Sequence, residues 1–365
     1  MSSNHSLYRT QSARKKVAIL VENEFEDIEL RIPQTALNQA GAQIIILGAR
    51  MNDRYRGHRG TIAVAPDATT TEIGAEDFDA LMILGGSMRA NPNVLRLVRE
   101  AIALEKWIVA IGYGPQVLID AEQIANRKVT GFRAIRKDIE NAGAIYIDAP
   151  TLVDDKLITA RRPGDLPIVM TTLFRLLMLS ISNQKLPKSN YIGHDWWELG
   201  AAWGGSSRAD IVRALDTAIV GERYTTEIFR QYVFHTSRPS LLSLLSEIID
   251  AKREHADLLE KRLHEAFNET VSWQVMGGET LAALQGSLQR SDDIEIMRKT
   301  LGDLQTGIID AYRLCNQLSD PTTVEILDRV ESDLSKYEQC LAALYRRVSG
   351  NQVKPPLPTT VAVMH

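Results

Sequence analysis

The chain has 365 residues, 44% of them apolar and 24% charged, and a formal net charge of −4. That length is enough for two or three domains, and the charge supplies no global basic field for nucleic acid or an anionic membrane. No apolar run nears the ~20 residues needed to span a bilayer, and the polar start "MSSNHSLYRTQSARKK" lacks the apolar core of a secretory signal.

Residues 1–14 read as a disordered tail. From there to about 180, short apolar runs alternate with helical stretches. "KKVAILV" (15–21), "QIIILGA" (43–49), "ALMILGG" (80–86) and "WIVAIG" (107–112) are near-continuous runs, as suits strands buried on both faces of a parallel sheet. Helices are predicted over 28–40 and over 91–106, where Asn-Pro supplies an N-terminus. Further helices are expected near 114–124, 135–142 and 166–180, with strands near 144–148 and 157–160. The alternation predicts a doubly wound α/β domain over 15–180, with functional loops at the carboxyl ends of its strands.

The stretch 181–207 lacks periodicity and reads as a linker or docking segment; its tryptophans Trp196, Trp197 and Trp203 are expected to pack at the domain junction. From 208 to 349 the pattern is helical, with amphipathic stretches over 208–236, 239–266, 293–317 and 321–348. The second and fourth open on Pro239 and Pro321, residues tolerated in a first turn. Two similar hairpins joined by a longer crossover predict a four-helix bundle. "WQVMGG" (273–278) has no preceding strand or following Lys and reads as a turn, and 350–365 as a second mobile tail.

The sequence "VAIGYGPQVLIDA" (109–121) has the form of a nucleophile elbow, a strand ending in Gly-x-Gly-Pro before a helix, yet its apex holds Gly112 and Tyr113. The two cysteines, Cys315 and Cys340, lie in helical stretches, which gives no disulfide framework and an expectation of a reducing cytoplasm. Residues 1–314 contain no cysteine, so thiolate chemistry in the first half is excluded by inventory.

Four stretches, "NEFEDIELRIPQTALNQAGAQI" (23–44), "FDALMILGGS" (78–87), "AIGYGPQVL" (110–118) and "IRKDIENAGAIYIDAPTLVDDKLITARRPGDLP" (135–167), resemble the ThiJ/PfpI superfamily, especially its PfpI-like intracellular protease/amidase branch. The resemblance implies a flavodoxin-like fold within the class I glutamine amidotransferase-like group, assembly into homo-oligomers, and peptidase, glyoxalase, deglycase or stress-related roles. In this pattern the acidic residue of "FED", here Glu26, lies beside the nucleophilic Cys; Gly112 takes the Cys position and Tyr113 that of the adjacent His. Gly85 and Gly86 match the Gly-Gly loop that lines the oxyanion side. Gly112 has no atom that a base could activate, and a phenol of pKa near 10 is a poor base at neutral pH. His58, the only histidine between 15 and 180, reads as a loop surface residue.

The helical half resembles ferritin-like proteins, whose di-iron centre takes a Glu from one helix and a Glu-x-x-His from the next. Glu222 and His255 match, but the glutamate position of the Glu-x-x-His is Lys252, and the second hairpin offers Leu334 and Tyr337. No metal or other cofactor is therefore expected, with Glu222 and His255 the weak candidates. His255 reads as a solvated residue in "KREHAD", and Glu254, Glu260 and His264 likewise.

These features lead to an expectation of a catalytically inactive two-domain protein. Its role would be structural, scaffolding or small-ligand sensing, around a pocket of Glu26, Gly85, Gly86, Gly112 and Tyr113. The alternatives are a PfpI-type hydrolase or deglycase-like enzyme with altered chemistry at Glu26 and Tyr113, and an iron-binding ferritin-like protein.

Overall fold

The computed structural model describes residues 14–85, 87–182, 185–187, 195–271 and 292–350. Gly86, "WQVMGG", most of both tails and part of the Trp-containing segment lie outside the described residues. The chain divides into two compact units, the first extending to residue 191 and including Trp203–Gly205, the second holding Ile192–Ala202 and the chain from Ser206 onward.

The first unit is an α/β fold. Its sheet uses β1 (Lys16–Leu20), β2 (Gln43–Gly48), β5 (Ala68–Thr69), β6 (Ala80–Ile83), β7 (Trp107–Ile111), β10 (Thr151–Asp154) and β11 (Leu157–Ala160). Their order is β10-β11-β7-β6-β1-β2-β5, parallel throughout except for the antiparallel β10–β11 pair. Val17, Ala18, Ile19 and Leu20 are fully buried, as the apolar run requires of a central strand covered on both faces. Short pairs β3 (Tyr55–Arg56) with β4 (Ala63–Val64) and β8 (Lys128–Val129) with β9 (Ile145–Tyr146) were not predicted as pairs; two-residue strands carry no periodic signal.

Five helices cover the sheet: α1 (Asp27–Gln39), α2 (Pro92–Ala103), α3 (Pro115–Asp120), α4 (Arg136–Asn141) and α5 (Leu166–Leu177). The Asn91 side chain accepts the Asn93 N–H and Pro92 opens the first turn, so α2 starts where the Asn-Pro signal placed it. Helix α5 stops at Leu177 rather than 180 because Met178 takes a left-handed conformation, φ 57°. Strand order reverses at β1, with β2 added on one side and β6 on the other. This places a switch-point crevice at the carboxyl ends of β1 and β6, where α1, the turn after β6 and the β7–α3 elbow begin.

The second unit contains α6 (Trp196–Ala202), α7 (Arg208–His235), α8 (Pro239–Phe267), α9 (Asp293–Gln317) and α10 (Pro321–Ser349). Helix α6 corrects the reading of 181–207 as aperiodic: Trp196 and Leu199 give it an i, i+3 buried stripe. Trp196 and Trp203 are fully buried; Trp203 packs edge-on to Phe174 in the first unit, and Trp197 tilts against Phe267 in the second. The four long helices pair as α7 with α8 and α9 with α10, closing a bundle through α8–α10 and α7–α9 contacts. Ser207 and Asp210 form a capping box, and Asp292 and Asp320 cap the N-termini of α9 and α10. Ile211, Leu215, Leu245, Ile248, Leu304 and Leu327 are among the buried residues of its core.

Candidate functional site

At the elbow Gly112 has φ +58°, a left-handed conformation that glycine adopts without steric cost. Its N–H bonds the carbonyl of Ala160, and its own carbonyl accepts the N–H of Phe132, so the turn is held from both neighbouring segments. Gly114 is required by close approach: a Cβ there would come 2.6 Å from the Ile83 carbonyl oxygen. At Gly112 a Cβ would meet Phe132 Cε2 at 2.7 Å and Glu29 Oε1 at 3.1 Å. The Phe132 ring therefore fills the volume a side chain at the apex would use. It stacks in a tilted arrangement on Tyr113, with centroids 4.8 Å apart.

The carboxyl beside the apex belongs to Glu29, not to Glu26. Glu29 is 1% exposed, and its Oε2 accepts the Gly85 N–H at 3.3 Å. Burial pushes its carboxyl up to about 8, with the Glu26 charge adding to the rise, while the Gly85 N–H works against both. Glu26 instead caps α1 with its backbone, and its Oε2 lies 3.6 Å from Arg59 Nε. Helical geometry explains the displacement. Glu29 shares the face of Ile32, Pro33 and Ala36, all buried, so the first helical turn carries it inward. The sequence signal was available: an acidic residue sits on the apolar stripe of a helix that begins at a strand end.

Asp27, between the two glutamates, organises the adjacent loop. Its carboxylate accepts the N–H groups of Arg59 (3.0 Å) and Ile62 (2.8 Å) and the Thr61 hydroxyl. Gly57 must lack a side chain because Asp27 Oδ2 occupies that space. Burial alone would raise the Asp27 carboxyl, but these hydrogen bonds outweigh it and hold it below its usual range. A depressed folded-state value contributes stability that is present above the unfolded value and lost as pH falls through the folded one. Asp27→Ala is expected to cost on the order of 1–3 kcal/mol by stranding two backbone donors. Limited proteolysis within 57–62 checks this: cleavage should speed up in the variant. His58 of this loop is exposed, as predicted, with Nδ1 3.2 Å from Glu24 Oε2.

In the bundle the structure corrects the reading of His255. The residue is 1% exposed, not solvated. Lys252 and His255 continue the buried spacing of Leu245, Ile248, Leu259 and Leu263 along α8, so both point into the core. His255 Nδ1 lies 3.0 Å from Glu222 Oε2 and its Nε2 3.5 Å from Asp333 Oδ2; Lys252 Nζ donates to Glu222 Oε1 at 2.9 Å. The ammonium also lies 5.6 Å from the centroid of the Phe229 ring. Burial works against the Glu222 charge, but the Lys252 charge and the hydrogen bonds from His255 and Lys252 overcome it and hold the carboxyl below its usual range. Glu254 and His264 face solvent as read, whereas Glu260 is half-buried and pairs with Arg223. Among the described residues no group of three or more His, Cys, Asp or Glu side chains is arranged to hold a metal ion, and no helix is long and apolar enough to cross a membrane.

An α/β sandwich with an acidic residue at the switch point, a Gly loop and a Gly-Pro elbow defines the class. The chain belongs to the DJ-1/PfpI family, whose model matches residues 15–176. It is 36% identical over 158 residues to general stress protein 18 of Bacillus subtilis, covering 42% of this chain and 92% of that one. It is 35% identical over 168 residues to protein/nucleic acid deglycase 2 of Escherichia coli, covering 45% of this chain and 98% of that one. A crystal structure of a two-domain protein from Anabaena variabilis, with DJ-1/ThiJ/PfpI-like and ferritin-like domains, matches both units. It is 42% identical with a TM-score of 0.86, covering 96% of this chain and all of the other. The second unit is accordingly a ferritin-like helical domain.

Proposed function

We propose that this protein has given up the covalent chemistry of the elbow and acts as a small-ligand sensor or scaffold. In this reading the α/β domain spans 15–180, the helical domain 208–349 serves assembly, and the protein works as a cytoplasmic homo-oligomer in a stress response. The stress setting is supported by the name of the Bacillus subtilis relative. The observation that carries the proposal is the Gly112 apex, where the nucleophile is missing and Phe132 stands 2.7 Å from the place of its Cβ. The surviving polar group is the Glu29 carboxyl, with Gly85 and Tyr113 beside it and Glu26 further out on Arg59.

The test is turnover by the purified full chain. No consumption of methylglyoxal and no peptide hydrolysis above the buffer rate are expected. Gly112→Cys is expected to restore neither, and to cost about 1–3 kcal/mol through overpacking against Phe132. Turnover by the parent protein that Glu29→Gln abolishes would overturn the proposal in favour of a second reading. That reading has an observation of its own: a carboxyl near 8 beside the apex suits general acid–base work at neutral pH without a thiol.

A further inference from the structure

Ferritin-like proteins of the kind the second unit resembles hold iron between carboxylates and histidines, and the side chains here do not fit such a centre. Glu222 and His255 are in place, but Lys252 occupies the position from which a third ligand would come, and an ammonium has no lone pair to give. Both Glu222 oxygens are already engaged, Oε1 by Lys252 at 2.9 Å and Oε2 by His255 at 3.0 Å. On the other hairpin Leu334 is fully buried in the hydrocarbon core and Tyr337 packs against that core.

We propose that Lys252 is a tethered cation that takes the place of a metal ion, so that the bundle closes on a Glu222–Lys252–His255–Asp333 network and refuses divalent metals. The charges support this directly. Glu222 is neutralised from within by Lys252, and Asp333 from the rim by Lys336 at 2.8 Å and Arg329 at 3.7 Å. A metal entering beside Glu222 would have to displace an ammonium that is 1% exposed and covalently held, and would then share the site with that charge. A lysine side chain supplies the cation wherever the chain folds, whatever the metal supply. The bundle then folds independently of iron and carries no redox-active centre at this position, as suits an assembly module.

The experiment compares melting of the full-length protein with Zn²⁺, Co²⁺ or Fe²⁺ and with chelator, together with metal analysis and the Co²⁺ absorption spectrum. The parent protein should melt within about 1 °C of the same temperature in all conditions, well below the shift that saturating ligand produces. It should also show no Co²⁺ ligand-field band. Lys252→Glu exchanges the tethered cation for a ligand, so it should melt about 10 °C lower in chelator and recover most of that with Zn²⁺ or Co²⁺. If this variant does not fold with or without metal, Lys252→Gln and Lys252→Gln/Glu222→Gln decide. The double variant should melt above the single one, because it removes the stranded carboxylate. Stoichiometric metal on the parent protein that Glu222→Gln removes would overturn the proposal. So would a folded Lys252→Glu protein indifferent to metal, or a double variant no more stable than the single.

Discussion

Glu222→Ala is expected to destabilise the helical domain by about 3–5 kcal/mol, because it leaves the Lys252 ammonium buried without an anion. The loss does not measure the worth of the pair itself. Replacing Glu222 and Lys252 together by apolar residues of similar volume should recover most of it, since the desolvation of both charges is then avoided. Surface pairs nearby set the contrast: Arg253–Asp250 is solvated, and breaking it should change stability by under about 1 kcal/mol. The pH dependence follows from the depressed Glu222 value. Its contribution is fully present above the unfolded carboxyl range and disappears as pH falls through the folded value. Acid melts of the parent protein and of Glu222→Ala should therefore converge, while melts near neutrality stay about 10 °C apart. Equal acid sensitivity in the two proteins would show that the network does not carry this charge.

Much of the fold was legible because parallel strands and long amphipathic helices announce themselves by composition and period. Four apolar runs became β1, β2, β6 and β7, and Pro239 and Pro321 stand at the starts of α8 and α10. What escaped was decided by direction and by context. Glu26 was the acidic residue expected beside the apex, but the first turn of α1 turns Glu29 toward Gly112 instead. His255 sat in "KREHAD", a charged string, yet only its i−3 and i+4 neighbours, Lys252 and Leu259, say which face it occupies. The β3–β4 pair is held by Asp27 and its loop contacts, a tertiary cause with no local signature. Phe132 lies far from the elbow in sequence and reaches it through the hydrogen bond from its N–H to the Gly112 carbonyl. No motif around residue 112 could show that the apex was filled.

Glu29→Gln is expected to stabilise the α/β domain, and to do so more strongly as pH rises. With a folded value near 8 against 4.5, the carboxyl holds a proton in the folded state that it gives up on unfolding. Between those values the unfolded state binds fewer protons, so each added pH unit costs the parent protein up to about 1.4 kcal/mol from this group. The penalty is absent below the unfolded value and saturates above the folded one. At pH 7 it is about 3 kcal/mol, and the amide avoids it while its oxygen still accepts the Gly85 N–H. Hydrogen exchange of β1 and β7 amides at pH 4, 6 and 8 reads the difference: the two proteins should agree at pH 4 and separate by pH 8. A gap independent of pH would mean that Glu29 does not carry the proton. A buried acid that weakens its own domain over the neutral range, kept beside a glycine apex, is better accounted for by use than by packing, since glutamine would pack equally well. Gly112 brings no thiol to the apex, while burial pushes the acid next to it up to about 8, within the neutral range.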